Sequence, residues 1–138
     1  MPRTWTPKLA IGVPAIDQQH QELFRRSDDL LDALNRGAIV QEVIKLVSFL
    51  EQYVLVHFKA EEKLMATRGY PELTRHQLLH QEFIREFNDI RDKLAKAPST
   101  ALGLRMNALM GTWLVKHIGS EDTKLAAFLG SDRERVSL

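Results

Sequence analysis

The chain contains no cysteine. That excludes disulfides, thiolate zinc sites, iron-sulfur clusters and c-type haem attachment together, so any metal has to be held by nitrogen and oxygen. Nor is there an excess of one charge. The formal net charge is +1, with acidic and basic residues mixed along every segment, so no block of positive charge is available for phosphates or anionic lipid. Nucleic acid and membrane are therefore not expected partners. Long apolar runs are missing too: Met1 to Val13 lacks the roughly 7 to 15 residue apolar core of a secretory signal, and no stretch approaches the roughly 20 apolar residues of a membrane span. The expectation is a soluble, cytoplasmic protein. With 138 residues, 44% of them hydrophobic, and no repeats or low-complexity stretches, a single domain over 1–138 is expected to bury one continuous core.

What is present is helical periodicity. Four long stretches repeat apolar residues at intervals of three and four, separated by glycine and proline. Helices are expected at about 17–36, 39–68, 71–96, 101–118 and 121–129. Asp17 is the expected N-cap of the first, Pro71 fits the first turn of the third, and Ser99 or Thr100 caps the fourth. Gly37, Gly69 and Gly130 close helices, while Gly119 and Ser120 are expected to interrupt the fourth and start the fifth. Short connections between long helices force antiparallel neighbours. The fold class is thus all-α: an antiparallel up-down-up-down four-helix bundle with an N-terminal arm and a short C-terminal fifth helix. Residues 1–16 lack the period and read as an extended arm, with Trp5 as a core contact. Arg133, Glu134 and Arg135 read as a solvated end.

All five histidines fall on the apolar faces. His20 stands with Ile16, Leu23 and Phe24. His57 and Glu61 continue the stripe of Val43, Val47, Leu50 and Val54. His76 and His80 precede Phe83, Phe87 and Ile90, and His117 follows Met106, Met110 and Trp113. Taken singly, each has an ordinary alternative: a hydrogen-bonded core histidine for His20, or a surface pair one turn apart for His57 and Glu61, worth a few tenths of a kcal/mol. Together the alternatives weaken. Five buried imidazoles without partners, at about 1 to 3 kcal/mol each, could use up the roughly 5 to 15 kcal/mol that keeps a domain folded. A shared metal centre removes that penalty.

Helical geometry sorts the acidic neighbours. At about 100° per residue, Glu61 lies about 40° from His57 and Glu62 about 140° away, so Glu62 is expected to face water. On the fourth helix an unbroken turn aligns Glu121 with His117, and Asp122 competes only through a break or a π-bulge. Spacing alone leaves that choice open. Five imidazoles and two carboxylates exceed one octahedral ion and are too rich in nitrogen for calcium or magnesium, which implies two transition-metal ions. Zinc could take some of these ligands, but a cage of this size with bridging carboxylates suits iron better.

The motifs Asp17-Gln18-Gln19-His20, His57-Phe58-Lys59-Ala60-Glu61-Glu62 followed by Met65, His76-Gln77-Leu78-Leu79-His80 and His117-Ile118-Gly119-Ser120-Glu121-Asp122 resemble the haemerythrin family, specifically its single-domain bacterial members, over nearly the whole chain. The resemblance implies a non-haem di-iron centre cycling between Fe2+ and Fe3+, with a bridging oxo or hydroxo group and no haem. It implies that His76, His80 and His117 ligate one iron, that His20 and His57 ligate the other, and that Glu61 and Asp122 bridge them, which decides against Glu121. One iron then has a full octahedron and the other one open position.

The function so implied is reversible O2 binding for storage, delivery or buffering, without catalysis. Leu23, Phe58, Trp113, Leu114 and Ile118 are the expected lining of the oxygen pocket, and they serve equally as ordinary bundle core. Two other classes compete. One is an oxygen- or redox-sensing module acting through a separate partner, and the other is a di-iron redox enzyme acting on peroxide or nitric oxide. The two Glu-x-x-His pairs of ferritin-like di-iron proteins are missing.

Overall fold

The computed structural model describes residues 5–137, with side chains as far as Gly130. The expectation for Arg133, Glu134 and Arg135 therefore lies outside the described side chains. Helix α1 spans Pro14–Asn35, α2 Val40–Arg68, α3 Leu73–Lys96 and α4 Thr100–Trp113. The chain then stays helical through a π-helical segment, Leu114–Asp122, into α5, Thr123–Ser137. Helix α1 packs against α2 and α4, and α3 packs against the same two, which closes the four into a ring of antiparallel neighbours. The described residues contain no strand, and no described helix is long and apolar enough to cross a membrane.

Local chemistry explains most boundaries. Helix α1 starts at Pro14, ahead of the expected Asp17, because proline has no N–H to lose in the first turn and its φ is already helical. Asp17 is thereby moved inside the helix. Its Oδ1 accepts from the Ile11 N–H at 2.8 Å and ties the N-terminal arm to α1. The arm is not extended throughout, since Pro7–Leu9 form one 3-10 turn. Trp5 and Leu9 rest against the main apolar cluster. At the end of α2, Gly69 takes φ 66°, and the Tyr70 N–H turns back to the Met65 carbonyl, as a left-handed terminus requires. Pro71 lies in the turn before α3, outside the helix. Ser99 Oγ accepts from the Leu102 N–H at 3.1 Å and caps α4.

The interruption expected at Gly119 and Ser120 does not occur. The backbone absorbs the mismatch by widening into a π-helix. Thr123 Oγ1 donates to the Gly119 and Ser120 carbonyls at the end of the widened stretch.

The interior is layered. Leu23, Phe24, Leu30, Val43, Val47, Leu50, Phe83, Ile90 and Met106 belong to a large apolar cluster, while Ile11, Ile16, Met65, Tyr70, Leu125 and Leu129 form a small one. On each main helical rod the seven polar residues named above fall between the two. His20 lies between Ile16 and Leu23, and His57 and Glu61 between Val54 and Met65. His76 and His80 lie between Tyr70 and Phe83, and His117 and Asp122 between Leu114 and Leu125. A polar layer is thus sealed by apolar side chains above and below.

Candidate metal centre

His57 and Glu61 project from α2 one turn apart, and His76 and His80 do the same on α3. His20 comes from α1. His117 and Asp122 come from the π-helical segment, where the i to i+5 repeat brings residues five apart onto one face; in an α-helix they would diverge by about 140°. None of the seven side chains belongs to a residue more than 4% exposed.

Two overlapping groups result. One is Glu61 with His76, His80 and His117, and the other is Glu61 with His20, His57 and Asp122, the donor atoms of each group lying within 4.8 Å of one another. Each carboxylate faces both sides. Glu61 Oε1 lies 2.6 Å from His76 Nε2 and 3.4 Å from His80 Nε2, while its Oε2 lies 3.2 Å from His57 Nε2 and 3.4 Å from His20 Nε2. Asp122 Oδ1 lies 3.2 Å from both His76 and His117 Nε2, and its Oδ2 lies 3.0 Å from His20 Nε2.

Hydrogen bonding does not account for this convergence. His20 Nε2, His57 Nε2, Glu61 Oε2 and both Asp122 oxygens are buried and find no partner with hydrogen-bond geometry, although several are close enough. On the other side, His117 Nε2 lies 2.9 Å from His76 Nε2 and 3.2 Å from His80 Nε2. Three imidazole nitrogens that near one another repel unless a proton or a cation stands among them. Metal–nitrogen bonds of about 2.1 Å at right angles separate neighbouring donors by about 3 Å. The donor set therefore fits metal ions of the kind bound by imidazole and carboxylate.

Electrostatics without metal point the same way. Burial pulls His20 and His76 down, but the Asp122 and Glu61 carboxylates overcome it and push each up to about 9. His117 is raised in the same balance. His57 is lowered, because burial outweighs its contact with Glu61. For Glu61, burial alone would raise the carboxyl, yet the surrounding histidines hold it well below the ordinary range; Asp122 is also held low, against both burial and Glu61. Without metal the layer offsets its carboxylates with protonated imidazoles, and a bound cation would displace those protons.

The profile described as "Hemerythrin HHE cation binding domain" matches residues 11–129. The chain belongs to the haemerythrin family. It is similar to a bacteriohemerythrin of Pseudomonas aeruginosa, with 30% identity over 133 residues, which cover 96% of this chain and 83% of that one. A bacteriohemerythrin of Clostridium acetobutylicum is 26% identical over 121 residues, covering 86% of this chain and 94% of the relative. A myohemerythrin of Theromyzon tessulatum is 28% identical over 123 residues, covering 89% and 90%.

Around this haemerythrin layer the outer contacts differ from what helical arithmetic suggested. Glu62 does not simply face water: its side chain is 28% exposed, and Oε2 accepts from His80 Nδ1 at 3.1 Å. The correction comes from α3, which packs against α2 closely enough for a long side chain to reach across. Gln19, beside His20, acts likewise, its Oε1 lying 2.9 Å from His57 Nδ1. The only sequence signal for either was a long polar side chain next to a candidate ligand. Glu121 turns outward, where Arg75 holds it with two bonds of 2.5 and 2.8 Å. Among the lining candidates, Phe58 stacks on His80 at 3.8 Å and Trp113 on His117 at 4.2 Å, both beside the three-histidine group. Leu23, Leu114 and Ile118 are fully buried in the large apolar cluster.

Proposed function

We propose that this chain is a non-haem di-iron protein that binds O2 reversibly and serves oxygen storage, delivery or buffering, without turning over a substrate. The observation that carries the reading is the unequal sharing of nitrogen across Glu61 and Asp122, with three imidazoles on one side and two on the other. His76, His80 and His117 would hold one iron and His20 and His57 the other, with Glu61 and Asp122 bridging beside an oxo or hydroxo group. O2 would bind on the side of His20 and His57, which offers fewer nitrogen donors. When bound, a pair of ferrous ions would supply the reducing equivalents for reversible O2 binding.

The chain's own residues supply the conditions for reversibility. Leu23, Leu114 and Ile118 exclude water from the layer, and Phe58 and Trp113 shield two of the imidazoles. Glu61 and Asp122 are the buried acids there; as bridges both would be committed to metal, and neither would be free to deliver a proton. The names of the similar proteins, bacteriohemerythrin and myohemerythrin, support the same reading. A cytoplasmic location belongs to the proposal and is checked by cell fractionation.

The test is anaerobic reduction of the iron-loaded protein followed by air. A visible absorption band that appears with oxygen and disappears on deoxygenation, over repeated cycles, is the expected result. Irreversible oxidation in a single exposure overturns it, and steady consumption of peroxide or nitric oxide with a reductant replaces it by a redox enzyme.

A further inference from the structure

The two sides of the centre differ in what stands behind their histidines. Behind His80, on the three-histidine side, is the Glu62 carboxylate at 3.1 Å from Nδ1. Behind His57, on the two-histidine side, is the neutral Gln19 amide at 2.9 Å from Nδ1. In both cases Nδ1–H donates outward, which fixes the tautomer and leaves Nε2 free to face the centre. The ring plane of His80 is already set by Phe58, which lies parallel to it within 2°. What Glu62 adds is therefore the tautomer and negative charge. A carboxylate accepting from an imidazole N–H raises the basicity of the opposite nitrogen, and a more basic ligand favours the more highly charged metal ion. An amide fixes the tautomer with far less of that effect.

We infer that Glu62 is a positioning residue that makes the three-histidine side the more electron-rich half of the centre, while Gln19 orients His57 without enriching the other half. This rests on the di-iron reading above. It assigns an electronic asymmetry to two residues outside the ligand set, so that an iron held by His76, His80 and His117 would more readily keep its oxidised state.

The experiment compares wild type, E62Q, E62A and Q19E as full-length chains. It measures iron per chain, ferrous affinity by chelator competition, and the reduction midpoint of the loaded protein. The amide of E62Q can still accept from His80 Nδ1, so iron affinity stays close to wild type while the midpoint moves upward. E62A loses the acceptor and weakens iron binding about 10- to 100-fold, with helicity of the metal-free chain as the check on folding. Q19E, which places a carboxylate behind His57, moves the midpoint downward. A wild-type midpoint in both E62Q and Q19E, or wild-type iron affinity in a folded E62A, overturns the inference while the di-iron reading stands. A wild-type chain that takes up no iron overturns both.

Discussion

The large apolar cluster and the polar layer are built from the same helical rods, a few turns apart, and they are stabilised by different means. In the cluster, Leu30, Val47, Leu50, Met106 and Met110 are at most 1% exposed and are satisfied by packing alone. In the layer, side chains just as deeply buried keep nitrogen and oxygen atoms without partners. An apolar interior carries its stabilisation in the chain itself, through area removed from water and close contact. The polar layer carries a deficit that a ligand makes up. One part of the protein is therefore complete when folded, and the other is complete only when loaded.

Removing the metal tests that contrast most severely. Stripping iron with a chelator should lower the melting temperature by the equivalent of about 4 kcal/mol where free metal had stood near a thousandfold above its dissociation constant. Hydrogen exchange should show lost protection at residues 57–61, 76–80 and 114–122, with little change around Leu30, Val47 and Leu94. Uniform loss in both regions would break the distinction. The next largest effect is cavity formation in the apolar part: Leu30→Ala should cost about 2 to 5 kcal/mol, and about equally with and without metal, since the sites do not share partners. In contrast, His80→Ala or His76→Ala should lower iron content and the melting temperature of the loaded protein far more than that of the metal-free chain. Equal shifts in the two states would contradict the comparison.

Smaller effects sharpen the border between the regions. Leu23→Ala or Trp113→Ala should admit water and speed autoxidation several-fold in stopped-flow or slow-scan spectra, with iron stoichiometry unchanged; wild-type rates in both would remove the case for a dry pocket. Arg75→Ala, which frees Glu121 at the surface, should change the melting temperature least, and the change should vanish in high salt because exposed ion pairs are screened. A large, salt-independent loss would mean that the outer clamp supports Asp122 directly.

Much of this was legible in the residues. The three-and-four repeat of Leu73, His76, His80, Phe83, Phe87, Ile90 and Leu94 marks one buried face, and all six of the residues from His76 onward are buried. What the repeat could not report was a change in the repeat itself. Between Trp113 and Thr123 the helix leaves its 3.6-residue period, so arithmetic from His117 pointed to Glu121, while the backbone aims Asp122 inward and gives Glu121 to Arg75. Family resemblance favoured Asp122, but no single-helix calculation did. Glu62 fails for a related reason. Turning away from His57 brought it to His80 on α3 as well as to solvent.

The sequence by itself determined the four-helix class, the apolar faces and the family, because periodicity and ligand spacing are properties of one helix at a time and need no knowledge of neighbours. Only the tertiary structure decided which atoms share an enclosure: the two carboxylates reaching both groups of histidines, the carboxylate behind His80 and the amide behind His57. Those depend on distances of about 3 Å between side chains far apart in the chain, as His20 and Asp122 are at 3.0 Å, and such distances exist only once four rods have packed.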